Sequence, residues 1–166
     1  EGDDEGAPPA TAKERAAAAA AKVKVDSWRI KQMPTRMQQS APRVPSDFTR
    51  QYALLHKDAA GLFEYIQLMQ SEDCAAIFKP EIPAEVLISC ADAIAAGAHS
   101  ASLEWCAAWL QGLSAVGRFE MTVLMLDRPA QARLGAMFDA LSGIATSEGK
   151  YDVAAALGKL RPVFGA

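Results

Sequence analysis

A short stretch from Gly117 to Pro129 constrains the fold more than any other part of this sequence. Its apolar residues recur at the three- and four-residue spacing of a helix. Those on the expected inner face are Phe119, Val123 and Leu126. Met121 and Met125 flank this face, so we expect a short helix that exposes little of its surface to water. A short buried helix between two longer ones is what the centre of a compact helical array requires.

Turn and cap residues separate this helix from its neighbours. Asp127 is a favoured N-cap, and Pro129 fits the first turn of the next helix, where its missing N–H leaves no bond unmade. The helical period dominates from Ser46 onward, and no segment has strand alternation bounded by turn signals. We therefore predict an all-α fold, a compact right-handed array of about seven or eight short antiparallel helices.

Cap residues, prolines and glycines also predict where each helix begins and ends. The expected starts are Ser46 or Asp47, Asp58, Ser71, Pro83, Ser100 or Ser102, Arg118, Pro129 and Tyr151. Gly143 is expected to end the seventh helix, because glycine favours helix termination. The eighth segment, which ends at Leu160, has a weaker apolar pattern than the others.

The beginning of the chain differs in composition, so we predict two regions, residues 1–45 and residues 46–166. The chain begins with an acidic segment that has no large apolar side chain, and an alanine run at 16–21 has helix propensity but no apolar stripe to dock. Residues 25–44 are basic. We expect 1–45 to be a disordered linker. Trp28 is either a solvated residue of that linker or the anchor of a short motif that docks on a partner.

The overall charge and hydropathy exclude two classes of partner. The net charge is only −3, whereas nucleic-acid binders usually carry a basic surface. No apolar run is long enough to cross a membrane. The chain does not begin with Met, so we expect a fragment whose upstream sequence could hide a targeting signal.

The side chains that could carry chemistry are few and scattered. His56 and His99 have no Cys or His at metal-ligand spacing, so we expect no metal and no cofactor. Cys74, Cys90 and Cys106 lie in apolar helical patterns, as reduced core cysteines of an intracellular protein do. We expect a cytoplasmic protein that is not an enzyme. The alternative is a small enzyme that uses Cys106 or Cys74 as its nucleophile.

Several of these segments together resemble a known family. The stretch Arg118, Phe119, Met121, Val123, with Met137 and Phe138 downstream, is similar to the C-terminal domain of RNA polymerase II-associated protein three and sperm-associated antigen one. Upstream matches are Phe48, Tyr52, Leu62, Tyr65, Ile66 and Ile77 to Lys79, and the tail Val163 to Ala166 resembles one branch of the family. The resemblance covers about Pro42 to the end. Tyr52, where the family commonly has Trp, and the alanine-rich helix around Cys106 depart from it.

The resemblance implies a function by binding. In that family the domain is an adaptor of a co-chaperone that recruits RuvB-like AAA+ ATPases for assembly of multiprotein complexes, with a WD-repeat, Monad-type protein as a further partner. Heat-shock chaperones would bind only through tetratricopeptide repeats upstream of this sequence. The alternative is a partner-docking domain of an axonemal dynein-arm assembly or axonemal structural protein. Beside the cytoplasm, a nuclear or ciliary location also stays open.

Four residues are the candidates for partner binding. Arg118 begins a buried helix at the end that disfavours a cation, so it either pairs with a neighbouring carboxylate or borders a binding face. Lys79 follows an apolar helix, and its ordinary role is to end that helix with a charge. Phe119 is a candidate through its position beside Arg118, although a phenylalanine is more often in the core. Trp28 is the fourth candidate.

Overall fold

The computed structural model describes residues 40–166, which contain eight α-helices and no strand. The helices are α1 (Pro45–Leu55), α2 (Ala59–Ile66), α3 (Cys74–Ile77), α4 (Ala84–Gly97), α5 (Leu103–Ser114), α6 (Phe119–Leu124), α7 (Arg128–Ser147) and α8 (Tyr151–Leu160). Short 3₁₀ turns precede α3 and α5, and another follows α8. The predicted all-α fold is confirmed. The predictions for residues 1–39 lie outside the described residues.

Two aspartates begin helices as predicted. The carboxylate of Asp58 accepts a hydrogen bond from the backbone N–H of Gly61 at 3.1 Å, and Asp127 accepts one from Ala130 at 2.8 Å. Both bonds satisfy amide groups that a helix leaves without a partner in its first turn. The first helix differs from the prediction, because Ser46 does not cap it. Instead Asp47, inside the first turn, accepts from the N–H of Arg43 at 3.0 Å.

The prediction that Gly143 ends the seventh helix is wrong. Helix α7 continues to Ser147, because Leu141 and Ala145 on either side of the glycine are fully buried. A glycine inside a helix costs about 1 kcal/mol relative to alanine, and the burial of two apolar side chains outweighs this. The glycine that follows the helix end is Gly149, two residues after Ser147, and its φ of +69° is in the left-handed region.

The core is formed by contacts between helices that are distant in sequence. Helix α4 packs against both α2 and α7, while α8 packs against α7 and α5. Helix α4 is thus enclosed, and seven of its fourteen residues are buried. This explains the unusually alanine- and cysteine-rich composition of α4 and α5, since small side chains allow helices to approach closely. No helix within residues 40–166 is long and apolar enough to span a membrane.

The C-terminal turn closes the array beneath α6. Phe164 is fully buried, and its ring contacts Phe119 edge to face at a centroid distance of 4.8 Å and Phe138 at 5.3 Å. Such ring pairs add to the stabilisation that each ring gains from burial of its apolar surface. Gly165 has a φ of +66°, and an added Cβ would lie 3.0 Å from a methyl group of Val123. The last turn of the chain therefore fixes the inner side of α6.

Candidate partner-binding surface

Helix α6 and Met125, the residue that follows it, present three large apolar side chains to solvent. Met121 is 56% exposed, Leu124 77% and Met125 80%. They lie within five consecutive residues of the chain, and we name the surface that they form the methionine face. Isolated exposed apolar residues are ordinary on protein surfaces, but clusters of them mark sites of interaction. Methionine is also common at binding surfaces, because its flexible thioether adapts to different partners.

The exposure of this face corrects the prediction that Met121 and Met125 lie largely buried. The inner side of α6 needs only three residues to fill it, Phe119, Thr122 and Val123. Thr122 completes that side, since its hydroxyl donates a hydrogen bond to the carbonyl oxygen of Ile82 at 3.0 Å. No helix within residues 40–166 packs over the outer side. The spacing of apolar residues showed a buried stripe, but it could not show that the array leaves the remaining side uncovered.

The segments that carry Lys79 and Arg118 meet at one end of the methionine face. A Cβ added to Gly117 would lie 2.8 Å from the carbonyl oxygen of Pro80, so glycine permits this close approach of two backbones. Lys79 and Arg118 are the adjoining residues, and both are exposed. Neither forms an ion pair within residues 40–166. The structure therefore brings two predicted site residues, 39 positions apart in sequence, onto neighbouring segments.

Arg118 has a strained backbone. Its φ of 56° and ψ of 20° are left-handed, and among residues 40–166 it is the one residue other than glycine with positive φ. This conformation costs a residue with a Cβ roughly 1–2 kcal/mol. Such outliers persist where the surrounding structure imposes them, and they cluster at binding and active sites. The strain is a signal that sequence spacing could not supply.

Phe119 lies in the core, and its ring is only 2% exposed. It contacts Phe164 and so supports α6 from within. Its placement agrees with the ordinary role of a phenylalanine, and it corrects the expectation that Phe119 borders the surface beside Arg118. Trp28 lies outside the described residues, so its role as a docking motif stays a prediction.

A cleft of about 410 Å³ adjoins the methionine face. It lies between the first half of α4 and the start of α7, and we name it the α4–α7 cleft. Its walls include Glu85, Ile88, Met125, Pro129 and Arg133. Met125 thus belongs both to the exposed face and to the cleft, which makes the two features one continuous surface. Sequence reasoning missed this cleft because it forms between helices that are far apart in the chain.

A smaller cleft of about 210 Å³ lies on the other side of the α4 N-terminus. Its walls include aromatic residues of α1 and the segment from Ile77 to Lys79. Tyr52 closes one side of it, with its hydroxyl 2.9 Å from Oγ of Ser89. Glu85 is a wall of both clefts. Lys79 therefore lines a second cleft that shares the wall residue Glu85 with the first.

The cysteines proposed as nucleophiles lie in the core. Cys74, Cys90 and Cys106 are free thiols with no exposed surface. Burial raises the pKa of Cys74 to about 12, an effect that Asp73 strengthens, and burial raises the pKa of Cys106 to about 11. Burial also raises the pKa of Cys90 far above its usual range. A nucleophilic cysteine needs the opposite, an accessible thiol with a lowered pKa. The geometry argues against the alternative of a thiol enzyme.

The two histidines occupy ordinary surface positions. Nδ1 of His56 is 3.2 Å from the carbonyl oxygen of Tyr52, and Nδ1 of His99 is 3.2 Å from that of Gly97. Both are exposed. Between residues 40 and 166, no group of His, Cys, Asp and Glu side chains is arranged to hold a metal ion. The exposed apolar surface is thus the strongest candidate for a functional site in the described structure.

One comparison with known proteins identifies a family, and another identifies a similar fold. The family described as the potential Monad-binding region of RPAP3 matches residues 41–131, more than half of the chain. The structure is similar to the NMR structure of the C-terminal domain of the human RPAP3 protein, with a TM-score of 0.58 and 18% sequence identity. That similarity covers 81% of this chain and 96% of the human domain, and at this identity it supports the fold alone. No curated protein sequence matches the chain.

Proposed function

Because the chain belongs to the family of the potential Monad-binding region of RPAP3, we propose that it is a non-catalytic adaptor domain that recruits RuvB-like AAA+ ATPases through the methionine face. The family description names a protein partner, which supports binding as the function. The observation that carries the proposal for the site is the exposure of Met121, Leu124 and Met125 beside a cleft. The ATPase as partner follows from the resemblance in the sequence.

The energetics of the surface are those of an apolar anchor within a charged rim. Covering a large apolar side chain with a partner stabilises a complex by about 1.5–3 kcal/mol. Three such side chains within five residues of the chain can therefore form the centre of an interface. Lys79 and Arg118 would lie at its edge, where charges affect orientation and association rate more than affinity.

The test is a binding measurement with the full chain and purified RuvB-like ATPases. Leu124→Glu places a charge at the centre of the proposed interface, and we expect it to weaken binding by about 30-fold or more, the effect of losing a central anchor. The matched control is Leu54→Glu, since Leu54 is also an exposed leucine and lines neither cleft, but it lies on α1. We expect the control to bind as the wild type does.

The outcomes separate the partner from the surface. Equal binding by the two variants would exclude the methionine face. If the wild-type chain retains no RuvB-like ATPase, the proposed partner is wrong, and the family description then directs the same assay to a Monad-type WD-repeat protein. Leu124→Glu and Leu54→Glu serve the second assay equally well, because they test the surface and not the identity of the partner.

A further inference from the structure

The α4–α7 cleft has a charge pattern that selects a particular side chain of the partner. Two carboxylates, Glu85 and Asp127, belong to its walls. The Glu85 side chain has no hydrogen bond or ion pair with any residue between 40 and 166, and it is exposed. Asp127 uses one carboxylate oxygen to cap α7 through the N–H of Ala130. Its second oxygen accepts no hydrogen bond from residues 40–166.

The basic residue in the cleft is already neutralised. Nε of Arg133 donates to Oδ1 of Asp92 at 3.1 Å, and its Nη2 donates to the second oxygen of the same carboxylate. This two-bond pairing holds the guanidinium toward α4 and cancels its charge locally. Asp127 also interacts electrostatically with Arg133 without forming an ion pair, so the walls carry two carboxylates against one guanidinium that is already paired. The cleft is therefore complementary to a cation.

The cleft also has apolar walls, and its volume of about 410 Å³ is large enough for a long side chain. Ile88, Met125 and Pro129 provide aliphatic surface in the same cleft as the two carboxylates. Lysine and arginine have the matching shape, with an apolar stem that packs on hydrophobic surface and a charged head that stays near water and carboxylates. A short cation or a metal ion would leave the apolar walls uncovered.

We propose that the α4–α7 cleft receives an arginine or lysine side chain of the partner protein, with its stem against Met125 and its head between Glu85 and Asp127. This inference rests on the proposed function only for the identity of the partner. It adds a specificity determinant to an otherwise apolar interface, because a neutral side chain of the same size would leave the carboxylates without compensation.

The first test reverses one wall charge. Glu85→Lys should weaken binding to the partner by about tenfold or more, while Glu85→Gln, which keeps the size of the side chain, should weaken it less. The matched control is Glu148→Lys. Glu148 is also exposed, but it follows the far end of α7, roughly 30 Å from Asp127 at 1.5 Å per residue. Binding by Glu85→Lys that equals that of Glu148→Lys would overturn the inference while leaving the proposed function intact.

The second test needs no protein partner. The ¹⁵N-labelled full chain is titrated with the peptide N-acetyl-Leu-Arg-Leu-amide and, separately, with its citrulline counterpart, which has the same shape without the charge. The arginine peptide should shift the amide signals of Glu85, Met125 and Ala130 at concentrations where the citrulline peptide does not. Equal shifts from both peptides, or shifts confined to other helices, would refute a cation-selective cleft. This result stands even if the chain binds no RuvB-like ATPase.

Discussion

Both sides of helix α6 carry large apolar residues, but one side is buried and the other is exposed. The inner side, Phe119 and Val123, is buried against the C-terminal turn, whereas the outer side, Met121, Leu124 and Met125, is exposed. Hydropathy alone does not distinguish them. The difference lies in what the fold provides: the turn at Phe164 closes one side, and no described helix covers the other. A six-residue helix can thus serve the core and a partner at once.

The largest expected effect is a difference in stability between substitutions on the two sides of α6. Phe119→Ala should lower the free energy of unfolding by about 3–5 kcal/mol, because it leaves a cavity between α6 and Phe164. Met125→Ala, on the exposed side, should change it by less than about 0.5 kcal/mol. Urea denaturation followed by circular dichroism measures both. Similar losses for the two variants would mean that the outer side is also part of the core, and the comparison would fail.

Part of this comparison was predictable from the sequence, and part was not. The caps at Asp58 and Asp127 are local, because each side chain bonds to an N–H three residues ahead, so spacing and residue type suffice. The burial of Phe119 follows from its place on an apolar stripe. The exposure of Met121 and Met125 depends on which helices pack over α6. Because α6 is short, the spacing of its apolar residues does not indicate which side is covered.

The same distinction explains the other differences. Gly143 is a helix-ending residue by local preference, but burial of its neighbours keeps α7 intact. The left-handed conformation of Arg118 arises where Gly117 meets the backbone of Pro80, a contact between distant segments. The α4–α7 cleft likewise joins helices that are separated in the chain. Local residue preferences determine where most helices begin and end, whereas contacts between distant segments form the candidate site.

A smaller effect is expected at Arg118, which begins α6 and borders both sides. Arg118→Gly removes a strained side chain from a left-handed position, so we expect unchanged or slightly higher stability, by up to about 1 kcal/mol. Arg118→Glu should leave the melting temperature nearly unchanged and weaken partner binding through the rim charge. Thermal denaturation and a binding assay on the same two samples measure this. Loss of the fold in either variant would show that Arg118 is a structural residue instead.

Hydrogen exchange of the full chain, with and without bound RuvB-like ATPase, tests most directly whether the outer side of α6 is the binding surface. We expect partner-dependent protection to concentrate in residues 118–126 and in the first half of α4, where the methionine face and the α4–α7 cleft lie. The amides around Glu148, at the far end of α7, should exchange equally in both states. Protection confined to other helices, with exchange in residues 118–126 unchanged on binding, would contradict the proposed site.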